Sequence, residues 1–494
     1  MTHKPPLYRG PASLAELEDR LRWDLERIEE LPASWPYGQS GSASAMLDVA
    51  VVGAGMAGLT TGFALMRQGL RNIQLFDRAR QGQEGPWVTY ARMETLRSPK
   101  HLAGPALGLA SLTFRAWYEA QFGAESWEAL GKIPRAQWMD YLNWYRRVTA
   151  VPVENEAALY DLEGDATGVT AHFRTKAGER TVRARYLVLA NGRDGLGGPF
   201  TPEPFRSLHS KRIAHSADEI DFTALRGKRV VVIGAGASAI DNASEALEAG
   251  AAAVTLLVRR RDIPRINKSL AANSPGFAKG FRALTPEARL AINGYFAKVN
   301  APPPKGSMLR ASRHAAFAVW TDCRIDAARE QADEIVLSTS RGAVACDQVI
   351  LGTGFSLDWS QRPELARLAG AIQLWRDADR ADMPAEFGDQ PFLGRGMQFL
   401  PRAGTDAAWV SRVYCMNNAA TMSHGRIAGD IPGISIGAGR VAEHITETLF
   451  ASEWRQHLDA VERFAMPELT GEEWTETPVG QEGAKTTARL ATSR

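Results

Sequence analysis

Apolar and polar positions fall into two blocks built to one plan. In the first, the apolar run Val49–Val52 meets the turn Gly53-Ala54-Gly55-Met56-Ala57-Gly58. A helical pattern follows to Gly69, and a second apolar run, Ile73–Phe76, ends on Asp77. Short apolar runs bounded by glycine read as buried strands, and the stretch between them has helical length and periodicity, so Leu47–Asp77 is predicted to be strand, turn, helix, strand. In the second block Arg229–Ile233 runs into Gly234-Ala235-Gly236-Ala237-Ser238-Ala239, and its helix also stops at a glycine, Gly250. The spacing matches, since 69 − 53 and 250 − 234 both give 16.

A GxGxxG turn between strand and helix suits a dinucleotide. The first glycine makes the tight turn, the second lets a pyrophosphate approach the backbone, and the third packs helix on strand, while the helix start offers unpaired N–H groups to the anion. Asp77, with Arg78 beside it, stands 77 − 53 = 24 positions after the first glycine, where such units place a carboxylate on a ribose hydroxyl. The same register in the second block reaches Val258, followed by Arg259, Arg260 and Arg261. Guanidinium groups there suit a 2′-phosphate, which they grip bidentately; the competing account is a solvated surface run. The contrast predicts FAD on the first block and NADPH on the second.

The remaining pattern supplies the domain order. Ser13–Leu31 reads as an amphipathic helix with Ser13 and Glu16 as a capping box, expected to dock on the body, with a homodimer contact as the alternative. Pro32–Ala45 is a linker rich in Ser, Gly and Pro. Val151–Val182 reads as short strands, and Ile263–Thr321 as a mainly helical excursion. The expected fold is α/β, with two Rossmann-like three-layer dinucleotide-binding domains: helix and linker over 1–46, FAD domain 47–205, NADPH domain 206–345 with the excursion at 263–321, the rest of a discontinuous FAD domain over 346–466, and a loosely ordered polar tail over 467–494. Five of the tryptophans (Trp87, Trp117, Trp127, Trp138 and Trp144) fall between Asp77 and position 145 and, Trp87 excepted, are read as core.

Composition narrows the classes. The 494 residues, 45% hydrophobic, give room for about three domains with real cores. A net charge of +2 from 58 basic and 56 acidic residues argues neither for nucleic acid nor for an anionic membrane as partner, and neither is expected. No apolar run reaches membrane-spanning length and the start carries no signal-peptide core, so the expectation is a cytoplasmic protein. The cysteines, Cys323, Cys346 and Cys415, form no CxxC, which argues against a dithiol centre and a disulfide framework. No metal cluster is read from the sequence.

These motifs together carry a resemblance. Over about Leu47–Leu449 the chain resembles the two-dinucleotide flavoprotein monooxygenases, the superfamily of flavin-containing, N-hydroxylating and Baeyer–Villiger monooxygenases. Ala190-Asn191-Gly192 and Gly352-Thr353-Gly354 resemble its two Ala-Thr-Gly linker motifs, and Gly85-Pro86-Trp87 resembles its Gly-Gly-x-Trp beside the flavin. The resemblance implies that Trp87, Gly192 and Gly437 approach FAD. Its Phe-x-Gly-x-x-x-His-x-x-x-Trp fingerprint becomes His209-x-Lys211-x-x-x-His215-x-x-x-Glu219, which keeps only the histidine. Where Baeyer–Villiger enzymes place an aspartate after the tryptophan, this chain has Ser98, next to Arg97, which disfavours ketone oxidation.

The implied chemistry is hydride transfer from NADPH to the flavin, followed by uptake of O2 as a hydroperoxide that oxygenates a small molecule at N, S or C. The protein then has to hold the cofactors in register and keep water out. Candidates around the oxygen-transfer site are Arg97 and Ser98, and, in the polar patch Asn417–Gly425, Asn417, Asn418, Ser423 and His424, a patch that reads equally as a turn and a helix start. Two alternatives remain open at this level: an NADPH oxidoreductase or oxidase of the same fold that inserts no oxygen, and a flavin redox sensor without turnover.

Overall fold

Val49, Ala50 and Val51 expose no surface because their strand, Leu47–Val52, has parallel neighbours on both sides: Ile73–Phe76 and the end of Gly178–Leu189. The computed structural model describes residues 10–28, 33–37, 46–378 and 383–474. The expected end of the first helix at Leu31, most of the linker, and the tail beyond 474 lie outside the described residues. Residues Met1–Thr448 form one compact unit and Leu449–Arg494 a second; the latter contains the helix Trp454–Arg463, with Phe450 stacked on His457 at 4.7 Å.

Within the first unit the first sheet has seven strands. Val153–Glu154 extends one edge, Val169–Thr175 and Ala158–Gly164 the other in antiparallel fashion, and Val413–Cys415 joins in parallel beside Gly178–Leu189. The sheet therefore gathers chain from both sides of the second block. Helix Met56–Arg67 is buried along nearly its whole length, and Thr60 and Thr61 hide their hydroxyls by donating to the carbonyls of Met56 and Ala57 at 2.6 and 2.8 Å. Its Phe63 meets Tyr145 of helix Arg135–Thr149 edge to face at 6.2 Å. Trp117, Trp127, Trp138 and Trp144 are all buried, with Phe114 touching the first three.

The amino-terminal helix is Leu14–Arg27, capped by the Ser13 hydroxyl on the Glu16 N–H. Leu17 and Leu21 are buried, Glu18 pairs with Arg147, and Asp24 accepts from Ser111 at 2.7 Å. Its apolar side is thus used on its own chain.

The second sheet is wholly parallel, in the order Phe317–Trp320, Ala253–Leu257, Arg229–Ile233, Gln348–Leu351, Ile213–His215. A core of Val230, Val232, Ile240, Ala243, Leu247 and Val254 packs its helix Ala237–Glu248 against it. Two expectations are corrected here. Phe317–Trp320, expected inside the helical excursion, is a strand, because its apolar run is short enough to complete the sheet edge. Gln348–Leu351, expected to open the second part of the first domain at 346, still pairs with Arg229–Ile233. The crossing comes just after it, where Phe355–Leu357 pairs antiparallel with Gly197–Pro199. The excursion itself contains helices Pro275–Gly280, Pro286–Val299 and Lys305–Ser312.

Candidate active site

Both glycine turns are shaped by what would collide with a side chain. Gly53 has φ +104°, and a Cβ there would lie 2.4 Å from the Ala190 carbonyl oxygen; one on Gly58 would lie 1.9 Å from the Gly53 oxygen. Gly234 has φ +125° and its Cβ would lie 2.4 Å from the Gly352 oxygen. Only glycine combines that conformation with that approach. Each turn thus abuts one of the two linker motifs, Ala190-Asn191-Gly192 for the first and Gly352-Thr353-Gly354 for the second. Helices Met56–Arg67 and Ala237–Glu248 start directly after, with Gly55 and Gly236 as caps that make no side-chain bond to the helix start. The exposed N–H ends form cradles for phosphate oxygens, so both turns fit a dinucleotide.

Asp77 closes the first cradle from the end of its strand. It is buried, accepts from the Ala54 N–H at 2.7 Å and from the Ala79 N–H at 2.8 Å. Burial raises its pKa, opposed by those two donors. Arg78 points outward to Asp194 at 3.3 Å.

Between the turns lies an open cavity of about 220 Å³. Gly55, Met56 and Ala57 line it from the first turn and Gly192 from its linker motif; Trp87, Tyr90, Arg92 and Arg97 from the following loop; Ser238, Asp241 and Asn242 from the second helix; and Asn418 and Gly429 from the returning chain. Trp87 is held from behind by Trp138, edge to face at 6.1 Å, and its carbonyl accepts from Arg135 at 2.5 Å. Arg97 reaches across to Asp241 at 3.3 Å. Burial lowers the Arg97 pKa, an effect the Asp241 carboxylate opposes. Arg310, itself buried, ties the same helix to the loop: it pairs with Glu245 at 2.7 Å and with Glu248, and donates to the Arg92 carbonyl at 3.3 Å.

The other candidates are used structurally. Asn417 is fully buried and gives its amide to Asn191 Oδ1 at 2.9 Å and to the Leu189 carbonyl at 3.3 Å, while its oxygen caps the Ala419 N–H at 3.0 Å. Ser423 serves the Trp375 indole, the Leu393 N–H and the Pro391 carbonyl. His424 Nε2 lies 2.9 Å from the Gly394 carbonyl and Nδ1 2.9 Å from the Arg440 guanidinium. Burial first, then Arg440, pushes its pKa down to about 3, so the ring is uncharged near neutrality. Ser98, Asn417, Ser423 and His424 do not reach the cavity lining; Arg97 and Asn418 do. His215 is likewise structural, with Nε2 3.0 Å from the Gly354 carbonyl and Nδ1 accepting from Ala217 at 3.0 Å.

Gly437 lies inside helix Ile434–Ser452 rather than before it. A Cβ there would lie 2.3 Å from the Ile427 oxygen, and one on Gly433 2.5 Å from the Arg426 oxygen. These glycines admit backbone to helix. Of the arginine run, Arg259 and Arg261 line a basic pocket with Arg324 and Arg341, while Arg260 donates to the Lys298 carbonyl at 3.1 Å. A separate pocket beside Gly236 and Ala237 is flanked by Lys132, Arg265 and Lys305, which the sequence did not single out. Asp241 and Asn242 were missed as well. Their signal was a polar pair interrupting the apolar stretch Ala239–Ala243.

Cys323, Cys346 and Cys415 are unpaired and buried, and burial pushes the thiol pKa of both Cys346 and Cys415 up to about 12. None lines the cavity. Among the described residues no group of His, Cys, Asp and Glu is placed to hold a metal ion, and no helix is long and apolar enough to cross a membrane.

Comparison with known proteins agrees with this geometry. The family described as pyridine nucleotide-disulphide oxidoreductase matches residues 50–293. An FAD-dependent urate hydroxylase of Xanthomonas campestris pv. campestris is 38% identical over 466 residues, covering 93% of this chain and 98% of that protein. Among solved structures, an ornithine N-hydroxylase of Kutzneria with reduced FAD, NADP+ and L-ornithine shares the fold at a TM-score of 0.64, with 17% identity over 82% of this chain and 99% of that one. The L-lysine 6-monooxygenase of Pseudomonas syringae does so at 0.63, with 18% identity over 82% and 99%. The chain belongs to the two-dinucleotide-binding flavoprotein monooxygenases.

Proposed function

We propose that this FAD- and NADPH-dependent monooxygenase hydroxylates urate. The near-full-length relationship to a urate hydroxylase carries the substrate assignment, and the arginine-rich cavity wall formed by Arg92, Arg97 and Arg193 suits a planar purine anion. In this reading the Gly53–Gly58 turn holds the FAD pyrophosphate, Asp77 faces the ribose hydroxyls, and Trp87 and Gly192 flank the flavin. The Gly234–Ala239 turn holds NADPH, with Arg259 and Arg260 on the 2′-phosphate side.

Bound together, the cofactors supply two electrons and activate O2. The balance is substrate + O2 + NADPH + H+ giving hydroxylated substrate + NADP+ + H2O. The chain's own work is positional. Arg310 and the Arg97–Asp241 pair hold the loop after the first turn against the second helix, which keeps both cofactor sites on one cavity. Trp87, Phe355 and Met93 exclude water from its apolar side. Neither His215 nor His424 lines the cavity, so acid–base work is left to the cofactors and bound water.

The test is oxygen accounting. Urate with NADPH and 18O2 should yield product carrying one labelled oxygen atom, with NADPH and O2 consumed one to one. Unlabelled urate beside stoichiometric peroxide would refute the assignment.

A further inference from the structure

Between Phe317–Trp320 and Gln348–Leu351 the chain inserts a small sheet that the parallel one does not need. Its three antiparallel strands are Ile325–Gln331, Glu334–Thr339 and Gly342–Cys346. Backbone bonds fasten this insertion to the arginine run. The Asp322 N–H donates to the Arg260 carbonyl at 2.8 Å, the Cys323 N–H to the Val258 carbonyl at 3.0 Å, and the Ser340 N–H to the Arg324 carbonyl at 2.9 Å. The Ser340 hydroxyl accepts from the Arg324 N–H at 3.0 Å and donates to the Asp322 carbonyl at 3.2 Å. The turn between the second and third inserted strands is thereby held against the end of Ala253–Leu257, although Arg341 stands 341 − 259 = 82 positions after Arg259.

Four guanidinium groups line the pocket so formed, from Arg259, Arg261, Arg324 and Arg341, against one carboxylate, Asp322. Arg324 is already engaged by Asp326 at 2.6 Å. Arg259 and Arg261 are exposed, and among the described residues their side chains make no hydrogen bond or ion pair. Arg341 is fixed in place: Nη1 donates to the Thr321 carbonyl at 3.1 Å, and the group lies over the Trp320 ring at 5.6 Å. Like charges gathered without matching carboxylates repel, and they suit an anion that offers several acceptor oxygens. A merely solvated run gives no reason for Arg341 to be pinned over the same pocket from another sheet. The pocket also meets the second dinucleotide turn, since Thr321 lines both it and the pocket that reaches Gly236 and Ala237. The end of the second strand is where such units meet the ribose 2′ position.

We propose that Arg341 completes the 2′-phosphate pocket, with Arg259 and Arg261 on one side and Arg341 of the antiparallel insertion on the other. The choice of NADPH over NADH is then set by the insertion as well as by the arginine run. The inference rests on the assignment of NADPH to the second turn and deepens it. Arg341 is a specificity-determining residue whose fork is positioned before the phosphate arrives, so little side-chain freedom is lost on binding.

The test is calorimetric binding of adenosine 2′,5′-bisphosphate and of 5′-AMP, which differ only in the 2′-phosphate, to the FAD-loaded enzyme. The unaltered enzyme should bind the bisphosphate about 10-fold or more tighter than 5′-AMP. Arg341→Ala should weaken the bisphosphate about 10-fold and leave 5′-AMP within about twofold, with flavin content unchanged. Arg341→Lys, which keeps the charge but neither the fork nor the stacking, should lose part of the same discrimination, and it serves alone if the alanine variant does not fold. Undiminished bisphosphate binding in both variants, or equal weakening of both ligands, would overturn the role given to Arg341 while leaving the NADPH assignment standing. An unaltered enzyme that binds the two ligands alike would instead overturn that assignment, and this inference with it.

Discussion

The Cβ of Ala239 fills the space that a side chain on Gly352 would need: a Cβ built on Gly352 falls 2.5 Å from it and 2.6 Å from the Ala239 Cα. At the first turn the sizes are exchanged. Gly58 opens the helix start and Ala190 supplies the methyl, 3.7 Å from the place of a Gly58 Cβ. The third position of each turn and the first position of its linker motif are thus matched in volume. Gly352→Ala forces backbone apart at the second turn and should cost about 2–3 kcal/mol, as overpacking of a tight core does. Flavin content should persist while NADP+ binding, followed by titration, is lost.

Asp77 offers a second test. Its two backbone donors, Ala54 and Ala79, are left without their acceptor in Asp77→Ala, at about 1–3 kcal/mol for a buried group. The first turn loses its shape with them. The purified variant should contain little flavin by its visible spectrum, and Asp77→Asn, which keeps one acceptor oxygen, should retain more than Asp77→Ala.

His424 makes stability depend on pH. Its folded pKa of about 3 lies below the usual histidine value, so the unfolded chain takes up the proton first. The neutral ring's contribution is complete above about pH 6.5 and is lost as pH falls from there toward about 3, by at most about 1.4 kcal/mol per pH unit. Urea midpoints at about pH 7.5 and pH 5.5 should differ more for the natural protein than for His424→Asn.

Arg259→Ala should raise the Michaelis constant for NADPH about 10-fold and leave that for NADH within about twofold, the signature of a lost 2′-phosphate contact. Arg260→Ala should do less, since one of its nitrogens is engaged by the Lys298 carbonyl. If Arg265→Ala instead removes the preference, the phosphate lies in the pocket beside Gly236.

The cofactor cradles were legible because their glycines answer to local geometry: Gly53 and Gly234 sit in a conformation and a contact that no other residue tolerates, and the repeat at fixed spacing exposed both. The cavity was not legible in the same way. Asp241 faces Arg97 only because two sheets meet, a pairing 144 residues apart in the chain. His424 and Asn417 looked reactive as polar residues near a turn, but their bonds to Arg440, Gly394, Asn191 and Leu189 show them closing the backbone. Gly437 read as loop because glycine disfavours helices, and close packing on Ile427 overrode that preference. Phe317–Trp320 was hidden at the end of a helical stretch, where four residues carry too little periodicity to declare a strand.

The most direct test of the account is the stoichiometry of NADPH oxidation with urate in air-saturated buffer, recorded together with hydrogen peroxide. The account predicts that urate accelerates NADPH oxidation, that one urate disappears per NADPH, and that little peroxide forms. NADPH oxidation indifferent to urate, with one peroxide released per NADPH, would contradict it.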